Sequence, residues 1–192
     1  MEPIQNIPDI SAYLAADEVI DHDHPRVRAT AAALAAEAPD AYAYAEAAFL
    51  FVRDAIAHSA DADDPRVTWR ASDVLAQRTG ICFAKAHALV ALLRAEGIPA
   101  GLCYQKLDTV HGLIAVRLPG EDRWARQDPR GNKPGVDAQF RLDREQLAFP
   151  VRPECNEVDY PVLFAEPHPA VLQCLQEAVD RSHLWQTLPI DL

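Results

Sequence analysis

The stretch Arg78-Thr79-Gly80-Ile81-Cys82-Phe83-Ala84-Lys85-Ala86-His87-Ala88-Leu89-Val90-Ala91-Leu92-Leu93-Arg94-Ala95-Glu96-Gly97 reads as one helix that opens at or beside a cysteine. Ala86, Leu89, Val90 and Leu93 recur at helical spacing and predict a buried stripe. Gly97 and Pro99 end the pattern, because glycine accepts the left-handed conformation after a helix and proline cannot continue one. Thr79-Gly80 supplies the turn that leads in. A cysteine so placed meets unpaired backbone N–H groups and the positive end of the helix dipole. Both favour the thiolate, the nucleophilic form of the side chain. The alternative is a buried structural thiol.

Upstream, the pattern predicts helices. Ile10 to Ile20 reads as a short one. Asp23 caps the next, Pro25 to Ala38. A stronger amphipathic helix runs from Ala41 to His58, with Ala45, Ala48, Phe49, Val52 and Ile56 on its apolar side. Ser72 and Asp73 cap a short helix to Gln77. Downstream the period changes to two. Ala100–Gln105, His111–Leu118 and Arg123–Gln127 read as strands, the last two joined by a turn at Pro119-Gly120-Glu121-Asp122. Residues 133–167 are rich in proline and aperiodic, with short strands expected at Phe140–Leu142 and Val162–Phe164. Pro169–Ser182 closes the chain as a helix with Val171, Leu172, Leu175 and Val179 inward. Helices followed by an antiparallel meander indicate an α+β fold. The 192 residues are read as one domain, with a core at about 40–132 and a C-terminal wrap and helix at 133–192.

The composition narrows the function. Lys and Arg number 18 against 29 Asp and Glu, a formal charge of −11. Such acidity argues against nucleic acid or an anionic membrane as partner. The chain begins with a polar segment and has no long apolar run, so the expected location is cytoplasmic. The four cysteines, Cys82, Cys103, Cys155 and Cys174, form no CxxC pair, so neither a zinc site nor a disulfide framework is expected. The Asp21-His22-Asp23-His24 run is read as helix capping rather than a metal site. No metal or cofactor is expected.

A nucleophilic cysteine needs a base in hydrogen-bond reach and a group to orient that base. His111 opens one strand and Asp128 closes the next, so the intervening hairpin makes them cross-strand neighbours. If the Cys82 helix packs its start against that end of the sheet, a Cys82–His111–Asp128 triad forms. His87 lies well around the helix from Cys82 and is a poor base. Cys103 and Cys174 are expected in the core, Cys155 in a loop, and Trp124 and Trp185 as packing residues.

These blocks taken together are Gly80-Ile81-Cys82 with Ala86, Leu92-Leu93-Arg94-Ala95-Glu96-Gly97-Ile98-Pro99-Ala100, His111 opening a strand, and Trp124 with Asp128-Pro129. With Phe51-Val52-Arg53-Asp54-Ala55-Ile56 before them, they resemble the core of the transglutaminase-like superfamily over about residues 40–132. The resemblance implies a papain-like arrangement with Cys82 as nucleophile, His111 as general acid/base and Asp128 as its orienting partner. Leu113, Val116 and Arg117 depart from the family where the substrate cleft is built. No calcium loop of the D-x-D-x-D-G type is present. The implied chemistry is acyl transfer through a thioester on peptide or glutamine-type amides. Gln77 or Trp69 is the expected side-chain donor to the oxyanion. A cysteine protease or amidase acting on a peptide or protein is the favoured reading. A protein-glutamine transglutaminase and a non-catalytic peptide-binding module are the alternatives. The sequence does not specify an oligomeric state.

Overall fold

The helix that opens at Cys82 is the centre of the molecule. In a computed structural model, which describes residues 2–192, it runs Cys82–Ala95 (α4), and every residue from Cys82 to Arg94 is buried. It is therefore enclosed on all sides, more than the single stripe its spacing suggests. Helices α1 (Pro25–Ala35), α2 (Ala41–Ala55) and α3 (Ala71–Gln77) pack around it. The strands β4 (Ala100–Lys106) and β5 (Val110–Val116) cover its other side. Gly112 is required for this approach. A Cβ there would lie 2.5 Å from the Phe83 ring.

Two buried cations fasten α4 to its surroundings. Lys85 Nζ donates to the carbonyls of Arg53, at 3.1 Å, and Ile56, at 2.5 Å, where α2 ends. Arg94 donates to the carbonyls of Ala15, Ala100 and Ala165, joining the N-terminal segment, β4 and the C-terminal wrap.

The main sheet has the order β6-β5-β4-β7, all antiparallel, with β6 at Ala125–Gln127 and β7 at Val158–Asp159. Two short parallel pairs complete it. β1 (Ile4–Gln5) lies along β8 (Val162–Leu163), and β2 (Ala57–His58) lies along β3 (Thr79–Gly80). Helices α5 (Pro169–Glu177) and α6 (Arg181–Thr187) follow.

Several expectations are corrected. The Ile10–Ile20 segment holds only a 3-10 turn, Ile10–Tyr13. Beyond it the Asp17 carboxylate takes the Val19 and Ile20 N–H groups, so the backbone bonds locally to a side chain instead of forming a helix. The cap of α1 is His24, whose Nδ1 accepts from Arg26 N–H, not Asp23. The start of α3 is served from elsewhere in the chain, as Asp21 accepts from Ser72 N–H. Helix α2 stops at Ala55, because residues 57–58 pair with β3. Phe140–Leu142 forms no strand. The closing helix is two helices, broken where Asp180 caps α6, and Val179 in the break is exposed rather than packed. No helix among the described residues is long and apolar enough to cross a membrane.

Candidate active site

The first turn of α4 places Cys82 at the floor of a cavity of about 690 Å³. Its cap residue, Ile81, offers no side-chain acceptor to the helix N–H groups. The positive end of the helix therefore lies open beside the thiol. His111 is the second residue of β5 and lines the same cavity. Asp128 follows the last residue of β6.

His111 and Asp128 are not directly opposite across the strands. The register pairs Ile114 with Gln127, so Asp128 falls opposite Leu113 and meets His111 on the diagonal, on the same face. The contact is close, with His111 Nε2 and Asp128 Oδ2 2.8 Å apart and both side chains buried. Asp128 also accepts backbone N–H groups from Arg130 at 3.1 Å and Ala148 at 3.0 Å. The Cys82 sulfur lies on the same cavity, near enough for its charge to act on the ring. Phe149 stands edge-on to the imidazole, with ring centroids 5.2 Å apart.

Burial alone would depress the His111 pKa. The Asp128 charge, and then Cys82, reverse this and raise it to about 10. For Asp128, burial would raise the carboxyl, but His111 and the two N–H donors hold it below the ordinary carboxylate value. His58, also lining the cavity, goes the other way. Burial, and then the Arg130 cation, push it down to about 3.

The structure thus brings Cys82, His111 and Asp128 together, as the hairpin argument anticipated. It leaves out the two expected oxyanion donors. Neither Gln77 nor Trp69 lines the cavity, and the Trp69 carbonyl instead bonds Nδ1 of buried His87. Cys103 and Cys174 are buried and Cys155 exposed, all free thiols as expected. Trp124 packs against Tyr13 as expected, but Trp185 of α6 is half exposed and lines the cavity wall with Leu188.

Sequence reasoning does not reach most of the cavity wall, and His58, Phe149 and Trp185 show why. His58 falls at the end of the helix expected over Ala41 to His58, whereas the structure puts it in β2. Phe149 lies in the aperiodic wrap. Trp185 was assigned to packing. Among the described residues no cluster of His, Cys, Asp and Glu could hold a metal ion.

Comparison with known proteins matches the chain to a family model described as the transglutaminase-like superfamily over residues 28–129. No curated protein matches the sequence. Among solved structures, a candidate cysteine protease from Cytophaga hutchinsonii is similar, with 21% identity and a TM-score of 0.54, covering 65% of this chain and 43% of that one. The periplasmic domain of TgpA from Pseudomonas aeruginosa is similar at 24% identity and a TM-score of 0.50, covering 65% of this chain and 48% of that one. The chain therefore spans less than half the length of either structure, and at these identities the likeness is one of fold.

Proposed function

Because the chain belongs to the transglutaminase-like superfamily, we propose that it is an acyl-transfer enzyme acting on peptide or protein amides through a thioester on Cys82. The observation that carries this is the His111 ring, held by the Asp128 carboxylate and lining one open cavity with Cys82. With Asp128 stabilising its charged form, His111 shares the cavity as imidazolium with Cys82, whose sulfur is the nucleophile. The thiolate adds to the amide carbonyl carbon. His111 then protonates the departing amine and, now neutral, draws a proton from the water that opens the thioester. Asp128 keeps the ring oriented throughout. The cavity leads to solvent, so hydrolysis is favoured over transfer to an amine.

The test is alkylation of Cys82 by iodoacetamide as a function of pH, wild type against His111→Ala. Fast reaction at pH 6 that drops about tenfold or more in the variant supports the pair. Equal rates for both proteins at every pH overturn it. Incubation of an acylated enzyme with a labelled primary amine separates hydrolysis from transfer, and hydrolysis is expected to dominate.

A further inference from the structure

His58 is a second histidine at the cavity floor, and the steps above give it no task. It ends β2, in register with Gly80 on β3, two residues ahead of Cys82. Ser59 N–H donates to the Gly80 carbonyl at 3.1 Å and fixes that register. His58, Cys82 and His111 are 7%, 6% and 5% exposed and line one cavity. The three side chains therefore share its floor.

The surroundings of His58 are polar but leave it unsatisfied. Its buried Nδ1 has no hydrogen-bond partner. The nearest carboxylate, Asp61, is 3.9 Å away, beyond hydrogen-bond range. Asp61 is instead taken by Arg130, at 2.5 and 3.1 Å, and Lys133, at 2.7 Å. Arg130, Lys85 and His111 all disfavour a charge on the ring, and only Asp61 favours one. A buried nitrogen left unpaired is costly and calls for an explanation, and with Nδ1 turned to Asp61 the ring nitrogen left for the cavity is Nε2.

The two imidazoles therefore differ in kind. His111 is the cation and moves protons. His58 stays neutral across the working pH range and carries one N–H that it can donate, its other ring nitrogen being an acceptor. A neutral donor beside the nucleophile suits an oxygen on which negative charge develops, since it lends a hydrogen bond without surrendering its proton.

We propose that His58 is the side-chain donor of the oxyanion hole, acting with the backbone N–H of Cys82 on the carbonyl oxygen of the substrate. The inference rests on the nucleophilic role given to Cys82. As the sulfur–carbon bond forms, the carbonyl π pair moves onto oxygen, and the two N–H groups stabilise that oxyanion. The pair then returns, the carbon–nitrogen bond breaks, and the amine leaves with the proton from His111. His58 ends the cycle as it began, with its N–H intact.

The test compares two reactions of the same thiol. Iodoacetamide alkylation displaces iodide and forms no oxyanion, whereas acylation by p-nitrophenyl acetate passes through one. Rates are corrected with Cys82→Ala. His58→Ala is expected to slow Cys82-dependent acylation about 100-fold and to change alkylation by no more than about twofold. His58→Gln, which restores an N–H donor, is expected to recover acylation to within about tenfold of wild type. If His58→Ala fails to fold, His58→Met fills the space without a donor and takes its place. Unchanged acylation in the donor-free variant overturns the assignment. Acylation and alkylation falling together also overturn it, because His58 then acts on the nucleophile or the fold. A wild-type protein with no Cys82-dependent acylation overturns both this and the function proposed above.

Discussion

Asp128 bonds His111 with one carboxylate oxygen while two backbone N–H groups hold the carboxylate itself. Asp128→Asn keeps the shape but removes the charge that holds His111 protonated. Cys82 alkylation at pH 6 is expected to fall about tenfold or more, with little change in melting temperature. The same charges make stability depend on pH, with opposite signs at two residues. His111 has its folded pKa raised from 6.5 to about 10. Its stabilisation is full below pH 6.5 and is lost as pH rises through about 10. Lys85 has its folded pKa lowered from 10.5 to about 7, burial being the first cause. The unfolded chain then binds the extra proton, so this group's contribution to stability rises between pH 7 and pH 10.5. Urea melts at pH 6.5 and 9.5 separate the two. Relative to wild type, His111→Gln is expected to remove a loss of more than about 1 kcal/mol on going to the higher pH. Lys85→Met is expected to remove a gain. Lys85→Met also leaves the Arg53 and Ile56 carbonyls without their donor, at a cost of about 2–4 kcal/mol.

At the scale of elements, α4, β4 and β5 are readable to within two residues, because each combines a clean period with its own stop signal. The placement of the candidate residues Cys82, His111 and Asp128 is readable for the same reason, since they lie at the ends of strands and helices. The failures share another physics. Ile56 continues the apolar stripe of α2, yet Ala57 N–H donates to Arg78 and Ser59 N–H to Gly80. Those long-range bonds draw the chain out of the helix, and no local pattern announces them. The break before α6 did carry a local signal, since Asp180 accepts from His183 N–H as a helix cap. Helix α6 also lines the cavity, through Trp185. Trp185→Ala is expected to raise the rate of Cys82 modification by N-phenylmaleimide several-fold relative to iodoacetamide. The melting temperature should hardly change, since the ring is half exposed. Rates of the two reagents on one preparation check this.

Across the whole molecule, the wrap that follows β6 is bonded into the sheet at several points. Arg126 joins Glu145 and Asp159, at 2.7 and 2.6 Å. Gln127 exchanges side-chain hydrogen bonds with the backbone of Arg141, Ala148 donates to Asp128, and Val110 donates to the Pro189 carbonyl. These ties link the wrap to the residues that hold His111. Urea unfolding of the chain is expected to show one transition, with tryptophan fluorescence and Cys82 accessibility coinciding. A chain ending at residue 132 loses the partners of Arg126 and Gln127 and the Ala148 donor to Asp128, and is expected to lack cooperative unfolding by circular dichroism. The sequence marked this wrap only by its prolines and missing period, because its bonds run from side chains to distant backbone.

The cavity wall at Trp185 lies 56 residues beyond Pro129, where the family match ends. During synthesis, at about 5–20 residues per second, those residues take roughly 3–11 seconds to add. Over that interval the nascent chain already contains Cys82, His111 and Asp128 but not the helix that gives their cavity its shape. The order of translation therefore separates the arrival of the reactive groups from the completion of the surface that selects what reaches them.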